Sequence, residues 1–198
     1  NFSDHQPDRH GARQPESGSV NMPVITVLGV DPSSVKIAVV ESSRKSQDKP
    51  TLHVNHFTHE ANEDKASEAF DFIFNLAYEI RERDGVAPRI YVEAPIVGIG
   101  GPGATIPQAF ITGAIMAAAV QAGCEVRLVN NQSWKKKALG KGNINKDQVR
   151  EIIRDLWPTL FNMVPIMEKG EFKGLPDQDL LDAGGINLFG WENTLMIE

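Results

Sequence analysis

Residues 24–30, VITVLGV, form an almost unbroken apolar run that stops at Asp31-Pro32. A short continuous run bounded by a turn signal predicts a strand buried on both faces. Residues 35–41 make a second β-rich run, and residues 51–57 alternate well enough to predict a third strand, the three joined by two hairpins. The period then changes. Ala66, Ala69, Phe70, Ile73, Phe74, Ala77 and Ile80 recur at helical spacing, which predicts an amphipathic helix over 66–80 with Gly85 as its stop. Strands over 89–93 and 125–130 bracket a small-residue helix over 107–122, giving the order β-β-β-α-β-α-β of an α/β domain. Further on, Val149, Ile152, Ile153 and Leu156 share one face of a helix over 146–157 that Pro158 ends. Residues 162–176 read as an irregular flap, and a last helix starts near Asp177, weakened by Gly184 and Gly185.

A length of 198 residues suits one domain. Residues 1–21 carry Pro, Ser, Gly, Gln, Arg and His with almost no apolar partners, so they are expected to be a disordered leader, His5 and His10 included, and the domain to span 22–198. Cys124 is the only cysteine, which excludes an intrachain disulfide framework and a multi-cysteine metal site and fits a reducing compartment. No apolar run approaches the roughly 20 residues needed to cross a bilayer, and no basic and apolar leader of the secretory type is present, so no membrane association and a cytoplasmic location are expected.

The charge of −6 argues against nucleic acid coating the whole surface, yet it leaves room for a local basic stripe. Lys135, Lys136, Lys137, Lys141, Lys146, Arg150 and Arg154 crowd into one segment against only Asp147 and Glu151. Gly140 and Gly142 flank Lys141 and would admit a phosphate close to the backbone, with Trp134 or Asn143 available for sugar or base. The segment reads either as a phosphate-binding loop for nucleic acid or as a solvated surface loop.

The carboxylates sharpen the choice. Asp31 and Glu93 each end a predicted buried strand, where α/β sheets place ligands. Asp177, Asp179 and Asp182 fall within six residues, and Asp179 and Asp182 share a helix face. Helix capping accounts for Asp177 or Asp179 better than for Asp182, which lies further into the helix. The other reading is that Asp31, Glu93, Asp179 and Asp182 surround a divalent cation. All-oxygen ligands suit Mg²⁺ or Mn²⁺ rather than zinc, and such ions often act in pairs on a phosphodiester.

Together these segments resemble the RuvC family of Holliday junction resolvases. The resemblance rests on Leu28-Gly-Val-Asp31-Pro32, Val92-Glu93, the stretch KKKALGKGNINKDQV at 135–149, and Asp179-Leu-Leu-Asp182-Ala183, in matching order and spacing. It implies an RNase H-like fold, a central mixed five-stranded sheet flanked by helices. It also implies a homodimer that nicks four-way DNA junctions symmetrically. Asp31, Glu93, Asp179 and Asp182 would bind two Mg²⁺ or Mn²⁺ ions and act with Lys146 as the catalytic set. Lys135, Lys136, Lys137, Lys141, Lys146 and Arg150 would contact DNA, with Lys135 and Lys146 near the scissile phosphate. Two features depart from the family pattern: the loop over 94–103 lacks an aromatic wedge, so Ile96, Val97 or Ile99 would have to serve, and Gly184-Gly185 follows Asp182.

Other readings remain open at this point: a nuclease on the same core acting on RNA or other branched DNA, and a non-catalytic junction-binding module. An actin-like or sugar-kinase ATPase is suggested by Asp31-Pro-Ser-Ser-Val-Lys36, but its two lobes need a longer chain. His53, His56 and His59 are not expected to converge on a metal, and Met116 and Trp157 are expected in packing. For the dimer, the helix over 66–80 is the expected contact, because Phe70, Phe72, Phe74 and Tyr78 spread around its circumference.

Overall fold

The computed structural model describes residues 24–44, 49–95, 102–170 and 173–194. The leader expected at 1–21 and the candidate wedge residues Ile96, Val97 and Ile99 lie outside them. Strands β1 (Thr26–Pro32), β2 (Lys36–Ser43) and β3 (Thr51–His56) come first, then helix α1 (Asn62–Asp84), β4 (Arg89–Glu93), α2 (Pro102–Gln121) and β5 (Glu125–Val129). Helices α3 (Asn131–Leu139), α4 (Lys146–Leu156), α5 (Pro158–Met163) and α6 (Gln178–Thr194) follow. The sheet order is β3-β2-β1-β4-β5. β1 pairs antiparallel with β2 and parallel with β4, which makes it the centre of a mixed sheet, and every residue of β1 is buried, as its apolar run predicts.

Alternation along the strands divides the core in two. Leu28, Val30, Ile90 and Val92 meet α1 and α2 on one face, whereas Val27, Tyr91 and Val129 meet α3 to α6 on the other. Asp31 and Glu93 keep the parity of Val27 and Tyr91, so both point to the α6 side.

Helix α6 runs unbroken for 17 residues despite Gly184-Gly185. The reason is packing. A Cβ at Gly29 would overlap the α6 backbone at Ala183 and Asn187, and one at Gly185 would overlap the Trp134 ring, so bare backbone on both partners lets helix, strand and indole approach closely. Asn187 then clamps helix to sheet. Its Nδ2 donates to the Val27 and Val40 carbonyls at 2.8 and 2.9 Å, and its Oδ1 accepts from Ser42 Oγ at 2.7 Å.

Three expectations are corrected. Residues 131–139 are a helix rather than a loop. Asn130 caps it by accepting from Gln132 N–H at 2.9 Å, its lysines are good helix formers, and Gly140 ends it at φ 83°. Of the segment expected to be irregular over 162–176, residues 162 and 163 belong to α5, which Pro158 initiates, and a bridge joins Ile166 to Pro176. Phe70, Phe72 and Phe74 of α1 are partly buried against the core, which leaves Tyr78 as the exposed aromatic of that helix. Exposed apolar side chains also lie on α2, where Ile106, Phe110 and Val120 are about half exposed or more.

Candidate active site

The sheet brings Asp31 and Glu93 together by register. Val30 pairs with Val92 in the parallel β1/β4 ladder, so the next residues, both acids, stand side by side at the strand ends. Both are buried, at 6% and 5% exposure. Helix α6 begins over the same end of the sheet and adds Asp179 and Asp182 from its first turns. Burial, then the fields of Glu93, Asp182 and Asp179, hold the Asp31 carboxyl well above the usual carboxylate range. Burial and Glu93 push Asp182 up to about 7. Four acids from three elements therefore share one electrostatic environment short of positive charge.

Protein donors also grip Glu93, Asp182 and Asp179. Glu93 Oε1 accepts from Asn131 Nδ2 at 2.5 Å and from Trp134 Nε1 at 3.0 Å. Asp182 Oδ1 accepts from Gln178 Nε2 at 2.9 Å, and Gln178 Oε1 accepts from Arg150 Nη1 at 2.9 Å. Lys36, buried at the start of β2, places Nζ 2.5 Å from Asp177 Oδ2 and 3.4 Å from Asp179 Oδ2. Asp177 Oδ1 accepts from Asp179 N–H at 3.1 Å, the capping role anticipated for it. Gln108 Nε2 donates to the Pro32 carbonyl at 3.0 Å and Lys65 Nζ to that of Ser34 at 3.1 Å, which fixes the turn after Asp31.

With these grips in place, no three His, Cys, Asp or Glu side chains among the described residues are gathered in a coordinating arrangement. The donor chemistry nevertheless fits a hard divalent cation. The acids offer only oxygen, and burial together with the neighbouring carboxylates disfavours the charged forms of Asp31 and Asp182, an environment to which such an ion would add positive charge.

The cations divide. Lys135 lies near enough to Asp182 to oppose the upward push on its carboxyl, and its Nζ sits 5.3 Å above the Trp134 ring. Lys136, Lys141 and Lys146 are exposed along α3 and α4, whereas Lys137 Nζ is tied to Asn193 Oδ1 at 2.8 Å. Arg150 turns inward, 9% exposed, onto Gln178 and Asp147. Trp134, read above as a possible base or sugar contact, is fully buried and bonds Glu93. His53 bonds Glu41 and His59 bonds Glu68, so these two histidines are engaged separately. Lys36 enters the sequence analysis only through the ATPase-like segment after Asp31, and its place ahead of the apolar run at 37–40 is the signal it carries; Gln178 and Asn131 carry none.

No family model matches the chain, and no curated protein matches it. Solved structures do. The structure of Thermus thermophilus RuvC superposes with a TM-score of 0.63 at 16% identity, covering 87% of this chain and 96% of that one. T. thermophilus RuvC in complex with Holliday junction substrate gives 0.60 at 19%, with the same coverage. At such identities the likeness is one of fold, and on it this chain is built on the RuvC-type, RNase H-like fold.

Proposed function

We propose that the chain is a structure-specific endonuclease that resolves four-way DNA junctions by divalent-metal-dependent phosphodiester hydrolysis. The observation that carries this reading is the shared, charge-deficient pocket formed by Asp31, Glu93, Asp179 and Asp182 beside the basic surface of α3 and α4. The similarity to a RuvC solved with a Holliday junction supplies the substrate class.

Asp31, Glu93, Asp179 and Asp182 would hold the Mg²⁺ or Mn²⁺ ions, two per site. The metal supplies an activated water and charge stabilisation for the departing 3′ oxygen. The chain's own contribution is positional. The β1/β4 register sets Asp31 beside Glu93, α6 sets the spacing of Asp179 and Asp182, and the buried walls exclude bulk water. Lys136 and Lys141 hold the DNA backbone, while Lys135 and Lys146 stand closer to the scissile phosphate. Symmetric nicking needs two sites related by a twofold axis. The stripe of Ile106, Phe110 and Val120 on α2 is the surface best suited to a second copy, since it is apolar, exposed and free of charged residues. The lone Cys124, buried and with its thiol pushed up to about 11 by that burial, suits the reducing cytoplasm.

The test is a cleavage assay with Mg²⁺ or Mn²⁺ against a four-way junction, fork, flap, linear duplex and RNA–DNA hybrid. Paired nicks in the junction that vanish with chelator and in Asp31→Asn, with junction binding retained, are expected. Preferential cleavage of the fork, flap or hybrid would move the assignment to another substrate. Near-normal turnover by Asp31→Asn would end the metal-site reading.

A further inference from the structure

Glu93 is held in a way its neighbours are not. Two N–H donors, Asn131 Nδ2 and Trp134 Nε1, converge on one oxygen, Oε1, and the Asp31 carboxyl is a further side-chain hydrogen-bond partner of Glu93. They come from adjacent turns of α3, the helix that follows β5 and packs against α6. Trp134 is immobilised from behind, with 0% exposure and its six-membered ring against the bare backbone of Gly185. The indole therefore cannot rotate its N–H away without opening the α3/α6 contact. Two N–H donors fill the accepting capacity of Oε1, so the lone pairs of Glu93 still available to a cation lie on Oε2. Neither donor carries a charge, so neither of them neutralises the carboxylate. A lysine or arginine in the same place would neutralise it.

From this geometry we infer that Trp134 and Asn131 are positioning residues that present Glu93 to the metal through a single oxygen. The assignment rests on the metal-dependent reading above. It makes α3 a functional element twice over: its solvent face carries lysines for DNA, and its inner face aims a carboxylate. It also explains why a tryptophan, costly to bury unless its N–H finds a partner, sits at the join between strand end and helix. Outer partners of metal ligands typically change metal affinity about 10–100-fold when removed.

The experiment measures Mn²⁺ binding to the free protein, without DNA, from the electron paramagnetic resonance signal of unbound Mn²⁺. Three changes are compared with the parent: Trp134→Phe, Asn131→Ala, and replacement of Trp134 by benzothienylalanine, which keeps the bicyclic shape against Gly185 and puts sulfur where the N–H was. Thermal unfolding separates fold from positioning. The benzothienylalanine protein is expected to melt close to the parent and to bind Mn²⁺ about 10–100-fold more weakly, with Asn131→Ala weakened in the same direction. Junction cleavage should show the loss in kcat at limiting Mn²⁺ and little change in KM for DNA. Parent-like Mn²⁺ affinity in both the benzothienylalanine protein and Asn131→Ala overturns the positioning role alone. Absence of Mn²⁺ binding in the parent itself overturns the metal reading, and this inference with it.

Discussion

Replacing Lys36 by methionine keeps a side chain of similar length and removes one buried ammonium. In the folded chain that ammonium is shared by Asp177 at 2.5 Å and Asp179 at 3.4 Å, and the side chains of Lys36 and Asp177 are only 6% and 9% exposed. Removing one partner of a buried pair strands the other charge, at about 3–5 kcal/mol. For a domain of this size each kcal/mol lowers Tm by about 2–4 °C, so Lys36→Met should melt about 6–20 °C below the parent. Asp177→Asn retains an oxygen to accept from the Asp179 N–H and removes the charge. Replacing a buried pair by neutral groups is often nearly free, so the double variant should recover most of the loss, and the double-mutant cycle should show coupling of about 2 kcal/mol or more. The assay is urea unfolding of the four proteins at pH 7 with chelator present. Additivity within about 0.5 kcal/mol would show that the two charges do not depend on each other and would refute the reasoning.

Further outcomes follow from other parts of the molecule. Phe110→Glu, on the exposed stripe of α2, should convert a dimer to a monomer in sedimentation at micromolar concentration without lowering Tm; a parent that stays monomeric even with junction DNA would remove the paired-nick mechanism. Lys146→Ala should lower the single-turnover cleavage rate about 10²–10³-fold while changing junction affinity much less, and the reverse pattern would make Lys146 a backbone contact only. Burial pushes the Glu41 carboxyl up, but bonds from His53 and Arg83 outweigh it and hold it below its ordinary 4.5. That contribution is present above pH 4.5 and is lost as pH falls through the lowered value. Glu41→Gln should therefore cost about 1.5–3 kcal/mol at pH 7 and much less in acid, and equal losses at pH 7 and pH 3 would contradict the sign.

Much of this architecture is written in local patterns. The apolar run before Asp31 identifies β1, the helical spacing between Ala66 and Ile80 identifies α1, and four acids at strand ends and on one helix face mark the pocket. The rest is hidden for physical reasons. The lysines of α3 carry helix propensity and electrostatic meaning at once, and a run of charge reads as a loop unless the Asn130 cap and the Gly140 stop are weighed with it. Gly184 and Gly185 look like helix breakers when only propensity is weighed. Their purpose depends on Leu160 and Trp134, which arrive from other helices and cannot be located from spacing along one. The grips on the acids are the least legible. Lys36 lies 141 positions from Asp177, and Trp134 lies 41 from Glu93, so nothing in either neighbourhood announces the other.

Helix α6 has one more consequence, for timing. It rests on β1, the first described strand, yet it is the last described helix. At synthesis rates of about 5–20 residues per second, Asp31 leaves the ribosome roughly 7–30 s before Asp179 and Asp182, about 150 residues later. Throughout that interval the bare backbone at Gly29 and the carbonyls of Val27 and Val40 lack their contacts with α6. The nascent chain therefore holds half of its acids without the rest. On the function proposed above, the four acids can act together only once α6 has docked on β1, so the order of the elements delays the activity until that point.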